Sequence, residues 1–190
     1  MNRLSVILTA GFLLSERSQE SFMIQPGAAL PDVTLYEFID EPTDGCALGP
    51  NPVSVTKAAQ GKTIALFGLP GAFTPTCSER HAPAYIEQAE AFTAAGVDEI
   101  WCVAVNDAFV MGAWARSLGA GRKVRFLADG SADFAKATGL TLDLSAKGLG
   151  LRSGRFSMLV KNGVVTHLNN EQGGGLAVSD AATLLAQAQG

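Results

Sequence analysis

The chain has 190 residues, of which 47% are hydrophobic and 17% charged, and its net charge is −4. That length suits one globular domain able to bury a core without staples, and that composition argues against disorder. No basic block runs along the sequence, which argues against a nucleic-acid partner, and three scattered cysteines, Cys46, Cys77 and Cys102, are too few for a disulfide framework.

Residues 1–22 stand apart. Arg3 precedes an apolar run over 4–14 that resembles a short signal-peptide core, yet the polar stretch 15–21 lacks a small-x-small cleavage pattern. The run is too short to span a bilayer. The plainer reading is an N-terminal extension or a mis-set start, with one folded domain over 23–190. The odd cysteine count suits a reducing compartment, so a cytoplasmic protein with no membrane partner is expected.

Residues 31–38 are expected to form an edge hairpin with 53–56, around a Pro- and Gly-containing loop that carries Cys46. Residues 63–67 are apolar, partly β-branched and bounded by Gly61 and Gly68, which predicts a buried strand. The spread of apolar residues over 77–95 predicts a helix ending before Gly96. A second buried strand is predicted over 99–105, and Asn106-Asp107 can cap a helix reaching about 118. Residues 124–128 read as a third strand, followed by a short helix to Thr138. Residues 155–160 and 164–168 flank Lys161-Asn162-Gly163, an Asn-Gly hairpin signal. Ser179 is the expected cap of a last helix. The order β-α-β-α-β-α-β-β-α implies a central mixed sheet flanked by helices, an α/β class of thioredoxin-like type.

The chemistry concentrates at 68–81, between a predicted strand and a predicted helix. Thr74 or Thr76 can cap that helix, and Pro75 suits a place near its start. Cys77 then falls in the first turn, where unpaired N–H groups and the helix dipole favour negative charge. Such a site, with a cation nearby, can bring a thiol from about 8.5 down to roughly 3.5–7.5. The thiolate is a nucleophile. The Thr74 hydroxyl can hold a substrate oxygen, backbone N–H groups near Thr76 can stabilise a departing one, and a permanent cation should complete the site. Pro70 and Phe73 can shield it from water.

Pro70-x-x-x-Thr74-x-x-Cys77, in the longer string Pro-Gly-Ala-Phe-Thr-Pro-Thr-Cys-Ser, resembles the active-site signature of the peroxiredoxins, in particular their atypical fifth-type subfamily. The similarity continues through Val105-Asn106-Asp107-Ala108-Phe109-Val110 and Arg155-Phe156-Ser157-Met158, and it runs from about residue 26 to the C-terminus. The resemblance implies a peroxidase that reduces hydrogen peroxide and organic hydroperoxides through a sulfenic acid on Cys77. It implies that Thr74 orients the peroxide, Arg155 activates the thiolate, Pro70 shields the pocket and His81 belongs to the site. It implies no bound cofactor and a homodimer formed around the active-site loop and 106–110. Some members carry a resolving cysteine in the C-terminal loop, where this chain has Val178. Similarity to members without it implies glutathione, with glutaredoxin, as the reductant.

Read from residues alone, several alternatives stay open. Arg152 competes with Arg155, and only the resemblance favours the latter. His81 can be a structural hydrogen-bonder as readily as a catalytic group. Cys102 reads as an inert core thiol, and Cys46 as a loop thiol able to serve as a resolving partner. Two histidines and three cysteines without close pairs do not make a zinc site, so no metal is expected. Gly148-Leu149-Gly150 lacks the context of a dinucleotide loop. The absence of Cys-x-x-Cys disfavours a disulfide exchanger, and no orienting Asn or Asp supports a cysteine hydrolase. A slow-turnover redox sensor or holdase acting on partner proteins is the alternative function.

Overall fold

The computed structural model describes residues 22–39, 49–173 and 175–190. Its centre is a seven-stranded sheet in the order β2-β1-β5-β4-β3-β8-β9. Strands β3 (Thr63–Gly68), β4 (Glu99–Ala104) and β5 (Arg125–Ala128) run parallel. On one side, β1 (Thr34–Ile39) pairs antiparallel with β5 and carries β2 (Gly49–Ser54) as the edge. On the other, β8 (Phe156–Lys161) pairs antiparallel with β3 and turns back into β9 (Val164–Asn170). This is the mixed α/β sheet expected, with its parallel crossovers first and an antiparallel hairpin late.

Alternation along the strands builds two cores. On β3, Ala65 and Phe67 face one layer, while Ile64 and Leu66 face the other. The first layer also takes Cys77, Tyr85, Phe92, Cys102, Trp114 and Leu184. Trp101, Val103 and Leu127 join Val55 and Phe134 in the second. A strand covered on both faces loses the apolar–polar alternation, which is why β3 and β4 read as continuous apolar runs.

The short local signals act largely as their chemistry requires. Asp107 caps α4 (Ala108–Ser117) by accepting from the Val110 N–H at 2.9 Å. Asn162 and Gly163 take φ of 49° and 76°, the left-handed pair that a two-residue turn with the twist of its strands demands. Five features differ from expectation. β2 begins earlier than 53, with Pro50 and Pro52 inside it, because an edge strand tolerates residues without an N–H. Ser54 then caps α1 (Val55–Ala59), so Thr56 is helical. The long helix expected over 77–95 is a π-helical turn (Cys77–His81) followed by α2 (Ala82–Glu87) and α3 (Ala89–Ala94). The π-turn closes with Ala82 N–H on the Cys77 carbonyl, directly before Pro83, which has no N–H to continue an ordinary ladder.

Ser179 is not the cap of α6 (Ala181–Gln189). Asp180 is, through the Thr183 N–H at 3.0 Å. Finally, β6 (Thr141–Leu144) and β7 (Gly150–Ser153) form a separate hairpin that the sequence pattern hides. Between β5 and β6 lies α5 (Asp133–Thr138), near the place expected. Among the described residues, no helix is long and apolar enough to cross a membrane.

Candidate active site

The site forms where β3 ends. After Gly68 the chain runs through Leu69 and Pro70 into a loop pinned from two directions. Asn106 Oδ1 accepts the Ala72 N–H at 2.9 Å, and the Thr74 hydroxyl donates to the Gly71 carbonyl at 2.8 Å. Thr74 therefore does not cap with its side chain, and Thr76, which precedes the π-turn, makes no side-chain cap bond either. The Thr74 oxygen keeps its lone pairs for another donor. Phe73 sits at φ 61°, a backbone region that costs an ordinary residue free energy and persists where surroundings enforce it. The residue is 57% exposed, and its ring centroid lies 6.4 Å from that of Trp114. Pro70 is half-buried.

Cys77 is fully buried in the π-turn, and its neighbour Ser78 accepts from the Trp114 indole at 3.0 Å. Arg155 comes from the residue just before β8 and is only 5% exposed. Its Nη2 donates to Cys77 Sγ at 3.4 Å, and its Nη1 lies 3.1 Å from His81 Nδ1. Arg155 Nε has no hydrogen-bond partner among the described residues. The competing Arg152 spends its donors on the carbonyls of Leu149 and Val105. The structure thus brings together Cys77, Arg155 and His81, and sets Arg152 outside that contact. Cys46 lies outside the described residues.

His81, four residues after Cys77, makes no hydrogen bond to it among the described residues. It meets Arg155 instead, and its Nε2 lies 3.0 Å from the Ser179 carbonyl. A carbonyl only accepts and a guanidinium only donates, so the ring must carry its proton on Nε2 and offer Nδ1 as an acceptor. The electrostatics agree. Burial first, and then the Arg155 charge, bring its pKa from 6.5 to about 4, against the opposing effects of Ser179, Glu171 and Asp180. Below about 6.5 the unfolded chain takes up a proton that folded His81 refuses until about 4. Its stabilising contribution is therefore complete above 6.5 and is lost as pH falls through the folded value of about 4. In thermal melts across that window, His81→Gln is expected to lose less stability on acidification than the native chain. An equal loss in both proteins would contradict this titration.

Tyr85 also donates to the Ser179 carbonyl, at 3.0 Å, and stacks on Phe67 with ring centroids 4.0 Å apart. Cys102 lies in the same layer, and burial, then the neighbouring Cys77, push its thiol well above the ordinary value. Among the described residues, no group of three or more His, Cys, Asp or Glu side chains is placed to hold a metal ion. Sequence reasoning missed Asn106 as a loop anchor, along with Tyr85 and the Ser179 carbonyl. Asn106 was visible as part of a cap dipeptide, but nothing marked its carbonyl oxygen for Ala72.

A guanidinium against a buried sulfur at a helix start can stabilise a thiolate and then the negative charge leaving it. The sequence and the fold are similar to those of proteins of known kind. A profile of the Redoxin family matches residues 25–185. Peroxiredoxin-2C of Oryza sativa subsp. japonica is 55% identical over 133 residues, which span 70% of this chain and 82% of that protein. A structure described as a putative thioredoxin reductase from Burkholderia cenocepacia is 60% identical, with a TM-score of 0.85 over 86% of this chain and 97% of that one. Reduced Prx3 from Vibrio vulnificus in complex with H2O2 is 46% identical, with a TM-score of 0.80 over 87% and 99% of the two chains. The chain belongs to the Redoxin family and is a peroxiredoxin, a thiol peroxidase.

Proposed function

We propose that Cys77 is the peroxidatic residue and that it reduces hydrogen peroxide and organic hydroperoxides without a bound cofactor. The observation that carries this reading is the buried Arg155 Nη2 at 3.4 Å from Cys77 Sγ. The Cys77 thiolate attacks one peroxide oxygen and the O–O bond breaks. Sulfur is oxidised to sulfenic acid, and the other oxygen leaves as hydroxide or alkoxide and takes a proton to become water or alcohol. Arg155 holds the thiolate and meets the developing negative charge, and low local dielectric strengthens both interactions. Thr74, already fixed by its bond to Gly71, presents its free lone pairs to the peroxide hydrogen. Backbone N–H groups near Thr76 steady the departing oxygen, and Pro70 limits water.

The sulfenic acid is resolved by an external thiol, glutathione with glutaredoxin. Val178 occupies the loop position of a C-terminal resolving cysteine. Cys102 is a poor partner, fully buried and with its thiol pushed up. One glutathione thiol displaces water from Cys77–SOH to form a mixed disulfide, and a second thiol releases reduced Cys77 and oxidised glutathione. Mass spectrometry after peroxide and then glutathione should find one glutathione on Cys77. A Cys77–Cys46 disulfide in its place would overturn the external-thiol reading.

The folded domain is taken to span 23–190, with 1–22 as an extension, and the protein to act in the cytoplasm. A homodimer fits the surface beside the active-site loop. Phe109 is 61% exposed, its ring lies 5.5 Å from that of Phe38, and Tyr36, Pro50 and Phe109 line an apolar cleft of about 240 Å³. Exposed aromatics grouped in this way are characteristic of association surfaces. Sedimentation should show a dimer in at least one redox state, and monomer in both would refute it.

A further inference from the structure

Glu171 belongs to no part of the chemistry above, yet it is the most heavily bonded carboxylate in the described structure. It lies just after β9, and a single oxygen, Oε1, accepts from the N–H groups of Ala177 at 2.7 Å, Val178 at 2.7 Å and Ser179 at 2.8 Å. The Ser179 hydroxyl adds a fourth bond at 2.9 Å. Three successive N–H groups converging on one point form an anion nest, here filled by the chain's own side chain. Burial alone pushes the Glu171 carboxyl up, but those N–H groups and the Ser179 hydroxyl together hold it below the usual range. At the other end of the residue, the Glu171 N–H donates to the Arg155 carbonyl at 2.9 Å.

What this staple fixes is the direction of one carbonyl. With its N–H and hydroxyl turned to Glu171, Ser179 presents its oxygen to His81 Nε2 and the Tyr85 hydroxyl, each at 3.0 Å. That oxygen dictates which nitrogen of His81 carries the proton, and so leaves Nδ1 as the acceptor for Arg155 Nη1 at 3.1 Å. One arm of the guanidinium is thereby anchored while the other meets Cys77. The geometry points to Glu171 as a positioning residue for peroxide reduction: its carboxylate sets the Ser179 carbonyl, which fixes the His81 tautomer, which holds Arg155 against Cys77. Glu171 touches no reacting atom. The inference rests on the assignment of Arg155 and Cys77 given above.

The test is a double-mutant cycle on the rate of Cys77 oxidation by hydrogen peroxide, with native chain, Glu171→Ala, Arg155→Ala and the double variant. Glu171→Ala should slow oxidation about tenfold, the size expected for a residue acting through a bonded network. In the Arg155→Ala background the same change should have almost no further effect, because its route to the sulfur is gone. A merely structural role for Glu171 would slow both backgrounds alike, and that result overturns the inference. So does Glu171→Ala oxidising at the native rate while Arg155→Ala is slow. If Arg155→Ala itself oxidises at the native rate, the assignment of Arg155 fails first, and that outcome is distinguishable from the other two. A measurement on the native chain needs no variant to fold: nitrogen NMR of the His81 ring at neutral pH should show a neutral ring protonated on Nε2. A ring protonated on Nδ1 would overturn the chain of contacts at its middle.

Discussion

Cys77→Ser is expected to abolish peroxide turnover, a loss on the order of 10⁴-fold or more, as when a nucleophile is removed from a site that works as a unit. A serine oxygen in the same first turn stays protonated at neutral pH and cannot take up an oxygen to give a sulfenic acid. Neither of the other cysteines is expected to replace it. Cys102 is fully buried in the core, its thiol held well above the ordinary value by burial and by Cys77. Cys46 stands outside the Pro70-x-x-x-Thr74-x-x-Cys77 segment, whose loop Asn106 and Thr74 pin beside Cys77. Stopped-flow mixing with hydrogen peroxide and then glutathione checks this, and sustained consumption by the serine variant would contradict it. Consumption by the native chain that stalls after one equivalent would favour a sensor over a turning-over enzyme.

The second large effect is at Arg155. Arg155→Ala should slow the first oxidation by roughly 10²–10³-fold, the cost of removing one preorganised donor from a developing negative charge. The arginine is 5% exposed and touches both Cys77 Sγ and His81 Nδ1, so nothing from solvent readily takes its place. Arg155→Lys should recover little. A lysine carries its charge on one nitrogen and cannot bond the sulfur and the imidazole from two ends of a planar fork. Arg152→Ala should cost much less, because Arg152 bonds two loop carbonyls and not the sulfur. Rates of Cys77 thiol loss for the three variants decide the matter. A larger loss at Arg152 than at Arg155 would show that the wrong cation had been chosen.

How far the sequence spoke depended on whether each signal was local. β3 and β4 were visible because both faces of each strand are buried, so the apolar residues run on unbroken. Asp107 and the Asn162-Gly163 turn were visible because a cap and a left-handed turn each depend on one or two residues. Strand β2 was placed late because its prolines suggest a loop until its edge position is known. The β6–β7 hairpin left no trace, since each strand has only four residues, too few for an alternation to stand out.

The site divides in the same way. The cysteine at a helix start and the Pro70-x-x-x-Thr74-x-x-Cys77 spacing lie within one short segment and were legible. Residue identity alone does not separate Arg152 from Arg155; the resemblance favours Arg155, and the register of β8 beside β3 brings its guanidinium against the Cys77 sulfur. The left-handed backbone and the exposure of Phe73 cannot be read from its identity. Ser179 was read as a cap from its side chain, whereas its contribution to the site comes from its carbonyl. A backbone acceptor has no residue type to betray it.

The most direct measurement is rapid-quench mass spectrometry of the native chain after one equivalent of hydrogen peroxide, with a sulfenic-acid trap present. We expect one trap adduct, the mark of a single sulfenic acid, on the Cys77 peptide, with the Cys102 peptide unchanged. An unmodified Cys77 with the adduct on Cys46 or Cys102 would contradict the assignment of the reactive thiol.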